Sequence, residues 1–379
     1  MVLICLLLIP VSIAVSMPLT RWLVSAGERW GHIDQPGREA HKQHGAAIPN
    51  TGGIAIFLAV AAPMAAGLIA IWVVPIEAWK GWLAPVGVHA EGLRGQSANG
   101  CAVIIALGVL HVLGLIDDRR QLSVKIKLFV QAVVAGGLSI FFEIRVLEFL
   151  HQWGPMGYTA SIVISVLWLV TITNALNMLD NMDGLAGGVG AIIAGLYLLA
   201  TLHGGQWFIA SLCALLLGAL TGFLRFNFPP ARIFMGDGGS LVLGMLLGVI
   251  SIRTTYVQLP DDQISQLPAA WHGVLMPMVV MAVPLYDLAS VVLIRLHTGR
   301  SPFVGDRNHF SHRLLRRGLS VRLAVLVIYL TTIATGLGGI MLTRLAGWQA
   351  LLVGFQTLAV LTVLAILELH DQGGTEASN

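Results

Sequence analysis

ANGCAVIIALGVLHVLGLIDDRR, residues 98–120, decides the fold class. From Ala98 to Ile116 no residue is charged, and then two acids and two arginines arrive together. An uncharged apolar stretch of about twenty residues is what an α-helix needs to cross a bilayer, at about 1.5 Å of rise per residue. In hydrocarbon the backbone must satisfy its own hydrogen bonds, which a helix does within one segment. Asp117 and Asp118 therefore end a span at the membrane surface, where an acid is costly unless something cationic compensates it.

The same pattern recurs along the chain. Of its 379 residues 56% are hydrophobic and only 11% charged, with a mean hydropathy of +0.82, far outside the composition of soluble domains. The apolar runs Val2–Leu19, Gly52–Ile76, Ala98–Ile116, Leu128–Phe142, Tyr158–Ile172, Leu185–Leu202, Gln206–Leu224, Gly238–Ile252, Val274–Ile294, Leu323–Leu342 and Gly347–Leu367 each read as a span. The expectation is an all-α polytopic membrane protein with about eleven transmembrane helices. With no repeat or linker in sight, residues 1–370 read as one membrane domain and 371–379 as a polar tail. Leu128–Phe142 is the shortest run and needs Lys127 and Glu143 to reach toward the interfaces. Ala14-Val15-Ser16 resembles a signal cleavage site, but no basic region precedes Val2–Leu19, which reads as a retained helix. Cys5, Cys101 and Cys213 lie in apolar runs without C-x-x-C spacing, which fits neither a disulfide framework nor a thiolate metal site. Nothing suggests a nucleic-acid surface.

Alternating sides from the first span puts the segments around residues 20–51, 117–127, 173–184, 225–237 and 295–322 on one face. That face collects nearly all the lysines and arginines, leaving Lys80, Arg94, Arg145, Arg253 and Arg344 opposite. The positive-inside rule makes it cytoplasmic, with the N-terminus outside and the C-terminus inside. Asp117, Asp118, Asp180, Asp183, Asp237, His309 and His312 all fall on this face, an agreement that scattered structural acids have no reason to show.

Three segments there carry chemistry. Asp117 and Asp118 oppose both each other and the dipole of the helix they end, which a hard divalent cation relieves; the bland alternative is pairing with Arg119 and Arg120. In NALNMLDNMDGLAGG, residues 174–188, a helical reading places Asn177, Asp180 and Asp183 on one face, and amides beside acids offer directional contacts to a polar ligand. In FNFPPARIFMGDGGS, residues 226–240, glycines at a helix start let backbone N–H groups approach a phosphate, with Asp237 placed to hold a metal. The loop SPFVGDRNHFSHRL, residues 301–314, adds His309, His312 and Arg313, whose charges suit a pyrophosphate. The first loop contributes His41 and Lys42 and a Gly52-Gly53 helix start. Asp287, inside the ninth run, reads as lining a polar cavity or pairing with another helix.

Together these segments resemble the polyprenyl-phosphate N-acetylhexosamine-1-phosphate transferases, in particular the WecA/TagO-like branch that uses UDP-GlcNAc and undecaprenyl phosphate. The likeness runs from about Asp34 to Leu319 and rests on Gly114–Asp118, Asn174–Gly188 and Phe226–Ser240, in family order. It implies eleven spans and a Mg²⁺-dependent transfer, with Mn²⁺ as the alternative ion. It implies that Asp237 is the principal metal ligand, that Asp117 and Asp118 line the same centre, and that one of these two positions or deprotonates the lipid phosphate. It implies that Asn174, Asn177, Asp180, Asp183, Asn227 and Phe234 surround the nucleotide, with Phe234 stacking on uracil. Lys42, His309, His312 and Arg313 complete the nucleotide-sugar contacts. The reaction so implied releases UMP and starts a cell-envelope polysaccharide on the cytoplasmic side of the bacterial plasma membrane; a homodimer is compatible with it.

The chain departs from the family pattern in the first loop, where the spacing between Asp34, Arg38 and Gly52 differs, and in two further motifs. His309-Phe310-Ser311-His312 stands where the branch usually has H-x-H-H, and Asp180-Asn181-Met182-Asp183-Gly184 replaces D-G-x-D-G. The run of consecutive histidines of the related UDP-MurNAc-pentapeptide transferases is missing, which ranks that substrate second. A cation-coupled transporter calls for paired polar positions in repeat-related spans. The chain shows chiefly Asp287 and no repeat. A non-catalytic scaffold has no use for all five acids.

Overall fold

The computed structural model describes residues 1–30, 33–34, 48–255, 274–301, 308–342 and 345–369. Lys42, His41 and the tail after residue 370 lie outside them. The chain contacts fall into two compact units, Met1–Gln258 and Leu259–Asn379. The first holds α1 (Val2–Trp30), α2 (Gly52–Val73), α3 (Ser97–Arg119), α4 (Val124–Phe141), α5 (Gly154–Leu179), α6 (Leu185–His203), α7 (Trp207–Asn227) and α8 (Asp237–Thr255). A two-residue antiparallel pair, Ile33–Asp34 with Ile48–Pro49, precedes α2. The second unit holds α9 (Met276–Val280), α10 (Ala282–His297), α11 (Phe310–Arg316), α12 (Val321–Met341) and α13 (Gly347–Leu369).

The fold is all-α and polytopic. Among the described residues ten helices are long and apolar enough to cross a membrane, one fewer than the sequence suggests. The difference lies in Val274–Ile294, expected as one span and built as α9 and α10 with a break at Met281. Pro284 explains the break, because it has no N–H to offer the Val280 carbonyl four residues earlier.

Helix α8 is the centre of the first unit. It packs against α2, α3, α5, α6 and α7, and from Leu241 to Leu247 its large side chains are almost wholly enclosed, as a helix apolar all round requires. Helix α1 is lipid-exposed on one side and fits α7 and α2 closely on the other. Ser12 donates to the Ala59 and Leu215 carbonyls at 2.9 and 2.7 Å, and Ser16 to Ala219 at 2.6 Å. Opposite them, Gly218 and Gly222 lie one turn apart, and a Cβ on Gly218 would sit 2.4 Å from the Ile9 carbonyl oxygen. Without a hydrophobic force between helices in lipid, such close small-residue contacts hold the pair together.

Replacing Gly218 by Val is expected to destabilise the detergent-solubilised protein by about 1–3 kcal/mol, the usual cost of overpacking. Gly195→Ala, whose Cβ would meet nothing within 4 Å, should leave the thermal midpoint unchanged or slightly raised.

Candidate active site

The start of α8 is built from three sequence-distant pieces. Gly236, at φ +68°, turns the chain into the helix in a conformation that L side chains rarely adopt. Gly114 of α3 lies against the first peptide of α8, where a Cβ would come within 2.3 Å of the Asp237 carbonyl carbon and the Gly238 nitrogen. The start of α2 closes the other side: Gly52 N–H donates to the Phe234 carbonyl and Gly53 N–H to that of Met235, both at 2.9 Å. Phe234 N–H returns the link, donating to Pro49 at 2.8 Å.

Asp118 caps this helix. The N–H groups of Asp237 and Gly238 donate to its two carboxylate oxygens at 3.0 and 3.3 Å, and Asn50 Nδ2 donates to Oδ1 at 2.9 Å. A carboxylate here satisfies orphan helix donors and complements the positive end of the dipole, together about 1 kcal/mol or more. The next two N–H groups, of Gly239 and Ser240, donate to the Gly236 carbonyl at 3.0 Å. Both glycine-rich helix starts thus use their N–H groups within the protein. This corrects the expectation that the start of α8 offers them to a phosphate.

Asp117, on the same turn of α3, is 8% exposed and points elsewhere. Its Oδ1 accepts from Leu122 N–H at 2.7 Å and its Oδ2 from Lys127 Nζ at 2.7 Å. The Lys127 ammonium also lies 3.6 Å from Asp237 Oδ2. From the first turn of α4, Lys127 thus bridges two acids. On the far side of Asp237, Asn177 Nδ2 donates to Oδ1 at 2.8 Å and to Ser240 Oγ at 2.8 Å. His111, a little deeper in α3, holds the Gly238 carbonyl through Nδ1 at 2.8 Å and stacks on Phe57 with centroids 4.7 Å apart.

The remaining expected residues of this unit frame the cluster rather than join it. Helix α5 ends at Leu179 with Asp180 as its cap, and Asn181 Nδ2 donates to the Met178 carbonyl. Asp183 and Gly184 follow in a turn, Gly184 at φ +74°, so Asn177, Asp180 and Asp183 do not share one helical face. Local Asx hydrogen bonding and a left-handed glycine stop the helix before the pattern repeats. Asp183 accepts from Ala231 N–H at 2.9 Å. Asn227 accepts from Gly184 N–H at 3.0 Å and donates to the Ile233 carbonyl at 2.8 Å. These two side chains tie the 180–184 turn to the 228–233 loop, leaving Phe234 half-buried at its end. Asn174 lies one turn before Asn177 and donates to Gln131 Oε1 at 2.5 Å.

In the second unit the expected residues form their own network. Asp287 is fully buried; Oδ2 meets His309 Nδ1 at 2.9 Å and Oδ1 accepts from Phe310 N–H at 2.6 Å. Of the two readings the sequence offered, this is the pairing one. The His312 ring stands edge-on to that of His309, with centroids 6.4 Å apart. Arg313 donates through Nε to Glu368 at 2.5 Å, through Nη2 to Ser290 at 2.8 Å, and through Nη1 to the Asn308 carbonyl. Its charge is balanced by Glu368.

A divalent cation fits this donor set in part. Asp117 and Asp237 face the Lys127 ammonium, with Asp118 beside them on the α8 backbone, and their oxygens are hard donors. Among the described residues no group of three His, Cys, Asp or Glu side chains is arranged to hold a metal by itself. Mg²⁺ commonly needs only one or two carboxylates and takes its other ligands from phosphates and water. Asp237 and Asp117 suit that role, while Asp118 is held by backbone N–H groups.

Residues 101–255, which contain this cluster, match glycosyl transferase family 4. Over 341 residues the chain is 31% identical to a Bacillus subtilis protein named probable undecaprenyl-phosphate N-acetylglucosaminyl 1-phosphate transferase, covering 88% of this chain and 84% of that protein. It is 32% identical to the decaprenyl-phosphate N-acetylglucosaminephosphotransferase of Mycolicibacterium smegmatis, covering 82% and 75%. It is 27% identical to the Escherichia coli K12 undecaprenyl-phosphate alpha-N-acetylglucosaminyl 1-phosphate transferase, covering 79% and 73%. The matches define a membrane enzyme that works on a polyprenyl phosphate. The chain belongs to the polyprenyl-phosphate N-acetylhexosamine-1-phosphate transferase family.

Lys127 and His111 were not singled out from sequence. Lys127 carried little signal, since it borders the run Leu128–Phe142, where a lysine ordinarily reaches toward water. For His111 there was none, since a lone histidine in a helix usually packs. Gly114→Ala, a single added methyl group, must move the first peptide of α8. It is expected to lower transferase turnover about 100-fold, the scale of a 1 Å misplacement, with intact folding by size-exclusion chromatography.

Proposed function

We propose that this protein transfers N-acetylglucosamine 1-phosphate from UDP-GlcNAc to undecaprenyl phosphate or a close polyprenyl relative, releasing UMP. The observation that carries the reading is the Asp117, Lys127, Asp237 and Asn177 cluster, which lies inside the matched family segment. The names of the relatives support the lipid acceptor and the sugar.

An oxygen of the lipid phosphate attacks the β-phosphorus of the donor. The bond from that phosphorus to the bridging oxygen breaks, UMP leaves, and the sugar remains on a lipid pyrophosphate. Such transfers depend on positioning and charge neutralisation more than on covalent chemistry by the protein. Lys127 brings a fixed positive charge between Asp117 and Asp237, and Asn177 fixes the Asp237 carboxylate from its other side. Asp118 holds the α8 start against which Asp237 is aimed. Asp237 and Asp117 would hold Mg²⁺, or Mn²⁺, which when bound supplies neutralisation of the phosphate oxygens. Asp180, Asp183 and Phe234 border the place assigned to the nucleotide, and His309 and His312 are assigned to the donor.

The positive face lies toward the cytoplasm, where nucleotide sugars are made, and the product starts a cell-envelope polysaccharide at the inner side of the plasma membrane. UDP-MurNAc-pentapeptide is the second donor to test.

Purified protein in detergent, given undecaprenyl phosphate and a panel of UDP-sugars, should release UMP from UDP-GlcNAc only when lipid and Mg²⁺ are both present. Chelation by EDTA should abolish release and added Mg²⁺ restore it. Asp237→Asn should lower the rate by at least about 10³-fold. Release that persists in EDTA, or an unimpaired Asp237→Asn protein, contradicts the assignment.

A further inference from the structure

Asp287 is the one acid singled out in the sequence that the reaction above does not use. It lies in α10, one turn beyond Pro284, and none of its surface is exposed. A carboxylate at such a place in a membrane protein needs partners, and it has two from a segment more than twenty residues later. Oδ1 takes the Phe310 N–H at 2.6 Å, the first free donor of α11, and Oδ2 takes His309 Nδ1 at 2.9 Å. Phe310 is itself wholly buried and stands edge-on to Tyr286, the neighbour of Asp287, with centroids 5.6 Å apart. The backbone bond and the buried ring together fix where His309 emerges, and the second oxygen fixes which way its ring faces.

We propose that Asp287 is a positioning residue that holds His309 with its proton on Nδ1, so that Nε2 is the nitrogen left to accept from the ligand His309 meets. A carboxylate cannot donate, so the imidazole nitrogen facing it must carry hydrogen. Among the described residues Nε2 has no hydrogen-bond partner. The same logic governs an aspartate that orients a working histidine in serine hydrolases, where replacing the acid by its amide leaves the geometry but selects the wrong tautomer. What His309 meets rests on the donor reading above; that Asp287 sets its tautomer does not.

Asp287→Asn conserves shape and discriminates the two. Its carbonyl oxygen can still accept from Phe310 N–H, which turns the amide N–H₂ toward His309 Nδ1 and forces the proton onto Nε2. In ¹⁵N-histidine-labelled protein, with the His309 signal assigned by its loss in His309→Gln, the ring should show Nδ1–H in wild type and Nε2–H in Asp287→Asn. The variant should also lose roughly 10–100-fold in kcat/KM for UDP-GlcNAc, the scale seen when the partner orienting a metal-binding histidine is changed. In the double variant with His309→Ala no further loss should appear, because both changes remove one contact. An unchanged tautomer overturns the proposal whether or not the protein proves to be a transferase. A changed tautomer with an unchanged kcat/KM also overturns it, by removing Nε2 from the donor contact. If Asp287→Asn does not fold, His309→Asn serves: it keeps the donor to Asp287 and lacks Nε2, so it should unfold at the wild-type temperature yet lose the same 10–100-fold. Full activity in that variant refutes the proposal.

Discussion

The Lys127 ammonium between Asp117 and Asp237 is the interaction on which the rest of the site depends. Those two acids end α3 and begin α8, and lysine enters from α4, so one ion cluster joins three spans. Asp117 is buried while Lys127 and Asp237 are half-buried, so losing one member leaves its partners partly uncompensated. Geometry follows from that pairing. Asp237 cannot swing away from Lys127, and Asn177 secures its other oxygen, so the carboxylate is aimed before any substrate arrives. Hard carboxylate oxygens outnumber the one ammonium here, a setting that suits a bound divalent ion.

The glycine-rich segments serve this arrangement differently from what their composition suggests. At the starts of α2 and α8 the N–H groups are taken by Phe234, Met235 and Asp118. Glycine is needed there because backbone meets backbone: Gly114 touches the first peptide of α8, and Gly236 turns with positive φ beside Asn50 and Asp118. In the proposed reaction the phosphates would be met by side chains and the metal they hold, while the backbone provides rigidity. A histidine buried in α3, His111, adds to that rigidity by holding the Gly238 carbonyl.

Much of this was legible in the sequence, and the failures have physical reasons. Length and continuity of the apolar runs gave the all-α polytopic fold, since hydrocarbon leaves the backbone few options. Val274–Ile294 read as one helix because Pro284 is tolerated in apolar runs, and only its missing N–H opposite Val280 broke it. Asp117, Asp118 and Asp237 were readable as a group because acids beside hydrocarbon are expensive. Their division of labour was not, because Asp117 and Asp118 are adjacent in sequence and diverge only through the helix geometry that turns one to Lys127 and the other to the α8 backbone. The 180–183 acids were assigned to one helical face by spacing, which the left-handed turn at Gly184 cancels. The partners of Asn227 and Arg313 were not legible either: Gly184 and Glu368 lie far along the chain.

The central claim is that Lys127 and Asp117 act on the reaction as one unit. A double-mutant cycle on UMP release, comparing kcat/KM for Lys127→Met, Asp117→Asn and the pair, reads it directly. The account predicts that the double variant is no slower than the slower single one, a coupling of about 2 kcal/mol or more. Losses that simply multiply would mean that the two residues work independently, and would contradict it.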